Sequence, residues 1–264
     1  MVKRKSIITN NIIILLLIIL LGQVLIYIKI NLTDKTCEKT FKQNVVFYPQ
    51  HQDDEVLWGA SAILRAIETC GQDNIYVVLV ADGLGVNVFN NNEYKNMTNE
   101  EKKEIRDKEF KAALSQLGVK EENIIILSDI NKENEDIFEL MEKTILEFEN
   151  SLENVTHISH HYEYDDHPMH IKNGQVLKNL KDEGKVKDAL YFIKPQYLKS
   201  IPVKNRVIYK VKNKSEYNKV KKACYEYKRV DIENDRYGVG YTSSPRYFDN
   251  LLKTLDFKSI LSNK

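Results

Sequence analysis

All six histidines of this 264-residue chain lie in two short stretches. His51 falls in Tyr48-Pro49-Gln50-His51-Gln52-Asp53-Asp54-Glu55. His157, His160, His161, His167 and His170 fall between Thr156 and His170, beside Asp165 and Asp166. Imidazole and carboxylate are the groups that hold zinc near neutral pH, and each stretch carries both. Two histidines and one aspartate would leave a fourth position open to water. Catalytic zinc has that arrangement, whereas structural zinc is closed.

A tight turn can aim His51 and Asp54 at one ion. Asp53 would then stand beside the metal, unbound and free to accept a proton from an activated water. The plainer alternative is that Asp53 or Asp54 caps the next helix and Glu55 sits at its positive end. That alternative gives His51 no role. His167 and His170 are i and i+3 at a helix start, so they share a face. One can bind metal while the other points at substrate; a pair of surface imidazoles is the alternative. His160 and His161 are neighbours at a strand end, where successive side chains point to opposite faces, so at most one looks into a cleft.

Those residues need elements to hold them. Apolar runs at 44–48, 75–80, 123–127, 155–159 and 189–193 read as buried strands, with a further candidate near 207–211. Helical spacing covers 55–70, 99–117, 136–150, 168–182 and 216–228, and Pro168 suits a first helical turn. Strands alternating with helices predict an α/β domain with a parallel sheet covered on both faces. Both histidine stretches follow predicted strands, and ligands of such sheets bind beyond the carboxyl ends of the strands. Residues 84–98 form a long Asn- and Gly-rich connection of the kind that often covers a substrate. The segment 237–248, bearing Gly, Tyr and Arg, suits a sugar rim or an ordinary return loop. There is no Gly-x-Gly-x-x-Gly and no phosphate-binding loop, so the pattern does not imply a nucleotide site.

Composition narrows the setting. Lys and Arg number 39 against 38 Asp and Glu, a formal net charge of +1, which gives no bulk field for nucleic acid. Cys37, Cys70 and Cys224 are odd in number and far apart, so neither a disulfide framework nor a thiolate zinc site is expected. Residues 12–28 are almost wholly apolar and follow the basic Lys3, Arg4 and Lys5. They read as an uncleaved membrane anchor within residues 1–30, with a signal peptide as the rival. Residues 31–43 read as a linker and 44–264 as the catalytic domain. The positive-inside rule directs that domain outward, to a bacterial cell surface, with Lys29, Lys35, Lys39 and Lys42 opposing. A cleaved segment would make the protein secreted.

The strand-His-x-Asp-Asp-Glu-helix pattern at 51–55, Asp82-Gly83 after the second strand and His167-Pro168-Met169-His170 together resemble the PIG-L/LmbE family of zinc-dependent de-N-acetylases. Arg106-Asp107-Lys108-Glu109 and Leu117-Gly118-Val119 are similar to the helix and turn before that family's third strand. The resemblance covers residues 44–180. It implies a Rossmann-like three-layer sandwich and hydrolysis of the N-acetyl group of an N-acetylglucosamine-containing glycan or glycolipid. It implies one zinc ion per chain held by His51, Asp54 and His170. Asp53 would be general base, protonated His167 would stabilise the oxyanion, and Arg106 would contact substrate. Two departures stand out. Gln52 replaces the usual Pro, and Asp165 lies where some members place a tyrosine near the substrate, a place Tyr162 or Tyr164 could fill. The rival readings are a zinc hydrolase acting on another bond, such as a phosphoester, and a non-catalytic, membrane-tethered glycan-binding protein.

Overall fold

A computed structural model of the chain describes residues 41–253 and 257–264. The expected anchor and most of the linker lie outside those residues. Among the described residues, no helix is long and apolar enough to cross a membrane.

The strands are β1 (Asn44–Phe47), β2 (Ile75–Leu79), β3 (Ile124–Ile126), β4 (Val155–His160), β5 (Ala189–Phe192), β6 (Arg206–Lys210), a short hairpin of β7 (Val230–Asp231) and β8 (Arg236–Tyr237), and β9 (Lys258–Ser262). The helices that matter to the site are α1 (Asp54–Leu57), α2 (Ala60–Cys70), α3 (Asn99–Leu117), α4 (Ile137–Ser151), α5 (Pro168–Asp182), α6 (Lys214–Lys228), α7 (Val239–Ser243) and α8 (Pro245–Lys253). One sheet of seven strands runs in the order β3-β2-β1-β4-β5-β9-β6. Strands β1 to β5 pair in parallel. The last strand, β9, is antiparallel to both β5 and β6.

Alternation along β1 builds the three layers. Val45 and Phe47 join one core with Ile63, Phe110 and Val220, from α2, α3 and α6. Val46 and Tyr48 join the other with Met141 and Leu177, from α4 and α5. The expected α/β architecture is therefore present, as a mostly parallel mixed sheet. The chain moves outward from β1 to β2 and β3, then returns to the other side of β1 with β4. The switch of strand order thus lies between β1 and β4, where a ligand crevice opens in such sheets. The first histidine stretch follows β1, and the second runs from within β4 into the turn after it.

Local signals explain the sharp boundaries. Thr98 and Glu101 form a reciprocal capping box at the start of α3, and Gly118 ends it in the left-handed region at φ 96°. The helix expected over 55–70 is broken instead at Trp58-Gly59. A Cβ on Gly59 would lie 2.9 Å from the Glu55 carbonyl oxygen, so this close approach needs glycine. The long connection at 84–98 is not an open flap. Val88, Phe89 and Tyr94 are buried with Ile105 and Val239 in a small core of their own.

Candidate active site

The turn after β1 is strained where it matters. Asp53 adopts φ 122° and ψ −26°, a conformation that side chains rarely take and that costs on the order of 1–3 kcal/mol. The turn brings His51 and Asp54 to the carboxyl end of the sheet. Asp54 is fixed at both oxygens: the His51 backbone N–H donates to Oδ2 at 2.8 Å, and the Trp58 indole N–H donates to Oδ1 at 3.0 Å. After β4, His167 caps α5, its Nδ1 accepting the Met169 N–H at 3.3 Å, and Pro168 opens the helix. One turn later His170 points inward. A Cβ on Gly174 would lie 2.4 Å from the His160 carbonyl oxygen, so only glycine lets α5 lie this close to the end of β4.

Three atoms converge between the two strands. His51 Nδ1 lies 3.1 Å from His170 Nε2 and 3.5 Å from Asp54 Oδ2, and His170 Nε2 lies 3.3 Å from Asp54 Oδ2. Bonds of about 2.0–2.1 Å to one tetrahedral ion put neighbouring ligand atoms about 3.4 Å apart. The donor set and its spacing therefore fit zinc. His160 adds a third imidazole, with Nε2 3.2 Å from Asp54 Oδ2 and its ring stacked on that of His170 at 3.8 Å. Burial alone would raise the Asp54 carboxyl, but His170 and His160 outweigh it and hold it well below its usual range. Burial pushes Asp53 up to about 8, with Arg106 opposing and the Asp54 charge adding. Asp53 is thus a carboxyl that can carry a proton near neutral pH and give it up again.

Residues 45–181, more than half of the chain, match the model of the PIG-L family, described as GlcNAc-PI de-N-acetylase. The chain belongs to the PIG-L family. It is therefore an enzyme of the de-N-acetylase class, in which zinc dependence is typical. No curated protein matches the sequence. Among solved structures it is similar to the N,N'-diacetylchitobiose deacetylase of Pyrococcus horikoshii, with TM-score 0.54, 14% identity and 83% of each chain covered. A deacetylase of the teicoplanin biosynthetic pathway, a triple mutant, gives TM-score 0.51 and 16% identity over 83% of this chain and 96% of that one. GalB, the 4-carboxy-2-hydroxymuconate hydratase of Pseudomonas putida KT2440, gives TM-score 0.52 and 14% identity over 83% and 95%. Likeness at these identities is likeness of fold.

In this PIG-L chain, the residues singled out from sequence come together with one exception. Asp53, Asp54 and His170 are buried, His51 is half-buried and His167 stands at the open edge. Arg106 is not on the cleft wall as expected for a substrate contact. It is fully buried beneath the turn, donates to the Gln52 carbonyl, and lies 3.9 Å from Asp53 Oδ2 and 3.7 Å from Glu109 Oε2. The reason is α7, whose Val239 and Gly240 N–H groups hold the Glu109 carboxylate at 2.8 and 2.9 Å and close the space behind Arg106. Within the segment 237–248, the glycine part at 237–240 thus backs the site, while Tyr247 lines a cavity beside Trp58. Gln52, in the place of the usual Pro, is buried and donates to Asp107 Oδ1 at 2.9 Å and to the Asp82 carbonyl at 3.2 Å.

Sequence reasoning missed Asp165 and Lys194. Asp165 Oδ2 lies 3.2 Å from His170 Nδ1, where a carboxylate would fix the imidazole were it to ligate a metal. His161, by contrast, turns away toward the Lys264 carbonyl. On the β5–β9 side of Trp58 a cavity of about 320 Å³ is lined by Leu57, Trp58, Ile193, Tyr247, Leu251 and Ile260.

Proposed function

We propose that this PIG-L chain removes the N-acetyl group from an N-acetylglucosamine-containing glycan or glycolipid, releasing acetate, with one zinc ion held by His51, Asp54 and His170. The observation that carries this reading is the convergence of His51 Nδ1, Asp54 Oδ2 and His170 Nε2 beside the strained, buried Asp53. Zinc in such a site supplies Lewis acidity toward water and the amide carbonyl. Asp53 takes the proton of the attacking water. It returns that proton to the departing amine, so one carboxyl acts twice.

His167 is the partner that would hold the oxyanion from the open edge of the site. Burial, and then the neighbouring His170 and His51, lower its pKa from the ordinary value. Its Nδ1 accepts the Met169 N–H, which leaves the proton on Nε2 to donate to the carbonyl oxygen as charge develops. Arg106 and Glu109 hold the Asp53 turn from behind.

The sugar preference is supported by the family description and by the P. horikoshii deacetylase, named for diacetylchitobiose. The apolar cavity beside Trp58 supports a substrate with a non-sugar portion, which favours a glycolipid. The N-terminal apolar run would hold the enzyme at the membrane, with the catalytic domain outside. Protease accessibility of intact cells tests that placement, and protection of the domain from external protease would refute it.

The decisive experiment measures metal content of the full-length protein and acetate release from N-acetylglucosamine sugars and glycolipids, with and without chelator. About one zinc per chain with chelator-sensitive acetate release supports the reading. A zinc-loaded protein inert on the whole panel, yet hydrolysing phosphoesters, would replace it with the phosphoesterase alternative.

A further inference from the structure

Lys194 follows β5 and is only 5% exposed, an unusual place for an ammonium group. Its Nζ lies 2.7 Å from Asp165 Oδ1 and also contacts Asp166 Oδ1. The other oxygen of Asp165 faces His170 Nδ1, while Oδ1 also accepts the His167 backbone N–H at 2.8 Å. The face of Trp58 lies over the ammonium, 5.5 Å from Nζ to the ring centroid, and keeps water from this side. A buried charge-assisted bond of this kind locks the orientation of the carboxylate that receives it. Lys194 therefore fixes Asp165, and Asp165 fixes the tautomer and tilt of His170.

We propose that Lys194 is a positioning residue for metal binding, acting through Asp165 on His170 from the segment after β5, outside both histidine stretches. This rests on the reading of His51, Asp54 and His170 as the zinc ligands. Once His170 donates through Nδ1 to Asp165, its Nε2 lone pair is committed to the point it shares with His51 and Asp54. Without Lys194, Asp165 can swing toward solvent or toward His160 Nδ1, 3.9 Å away, and the His170 ring loses its anchor.

Zinc affinity of the full-length protein, measured by competition with a chromophoric chelator, tests this apart from activity. Partners behind a ligand typically change metal affinity about 10- to 100-fold. Lys194→Met and Asp165→Asn are each expected to weaken zinc by such a factor, and Lys194→Arg to recover most of the loss. The double variant is expected to bind zinc no more weakly than Asp165→Asn alone, because Lys194 acts through that carboxylate. Should Lys194→Met fail to fold, Lys194→Gln, which keeps a hydrogen-bond donor without the charge, decides: wild-type zinc affinity in that variant overturns the proposal. A folded Lys194→Met with wild-type zinc affinity overturns the proposal, as does a further tenfold loss in the double variant. Wild-type protein that binds no zinc would instead remove the metal reading on which the proposal rests.

Discussion

His157 and His160 stand three residues apart on β4, both buried and both near a carboxylate, yet their surroundings differ in kind. An odd separation on a strand puts them on opposite faces. His157 has one partner for each nitrogen: Tyr48 Oη at 3.0 Å from Nδ1 and Glu149 Oε2 at 3.1 Å from Nε2. Its hydrogen bonds form a closed chain. On the other face, three imidazoles from His51, His160 and His170 crowd a single oxygen of Asp54. Neither burial nor a neighbouring carboxylate separates these two cases. What separates them is whether each nitrogen owns a partner or several nitrogens share one, because only a cation satisfies many lone pairs at one point.

The comparison breaks most visibly at the ligands. His170→Ala or His51→Ala should abolish zinc binding and reduce acetate release to background, measured by metal analysis and acetate assay. Asp53→Asn should keep zinc but lower kcat by about 10²- to 10⁴-fold, the usual worth of a general acid–base group; wild-type turnover in that variant would remove Asp53 as the base. On the closed face the effect should fall on stability alone. His157→Ala leaves Tyr48 and Glu149 without their shared partner and should cost about 1–3 kcal/mol in denaturant unfolding, with zinc stoichiometry unchanged. The smallest effect is one of pH. Burial alone would raise Glu149, but His157 holds it below its ordinary range. The unfolded chain therefore takes up this proton first, so the Glu149 contribution is present above the ordinary carboxylate range and fades as pH falls through the folded value. Glu149→Gln should flatten that part of the acid decline in stability, and an unaltered acid limb would show that Glu149 contributes nothing there.

The legible parts of the molecule were those with a local signal. The helices over 99–117 and 168–182 stand where the periodicity placed them, because Thr98, Gly118 and Pro168 punctuate their ends. The short apolar run in 44–48 announced a buried strand. Within the candidate site, the convergence of His51, Asp54 and His170 beside Asp53 and His167 was legible because side chains on one turn or one helix start have fixed spacing. The parts that were not legible depend on tertiary neighbours. Trp58-Gly59 breaks a helix whose apolar spacing continues, and the distant neighbour that Gly59 packs against, Phe192, comes from β5. Arg106 carried the right charge for a substrate contact, but its burial is decided by α7, more than a hundred residues later. Lys194 had no motif at all. Its partner Asp165 is distant in sequence, and only the pairing of β4 with β5 brings them together. Strand β9 was missed because Lys258-Ser259-Ile260-Leu261-Ser262 is short and carries only two apolar residues.

That strand has a consequence for how the protein comes to exist. Because β9 is threaded between β5 and β6, the sheet cannot be completed in the order in which a ribosome delivers it. Strands β1 to β5 can assemble early, but β6 must wait, unattached, until residues 258–262 have emerged. During that interval β5 presents an open edge, the kind of surface on which nascent chains stick to one another. A message or a nuclease cut that stops synthesis before Lys258 would yield a chain with its candidate metal ligands all present and its sheet unfinished. Such a product should depend on chaperones far more than the finished enzyme does.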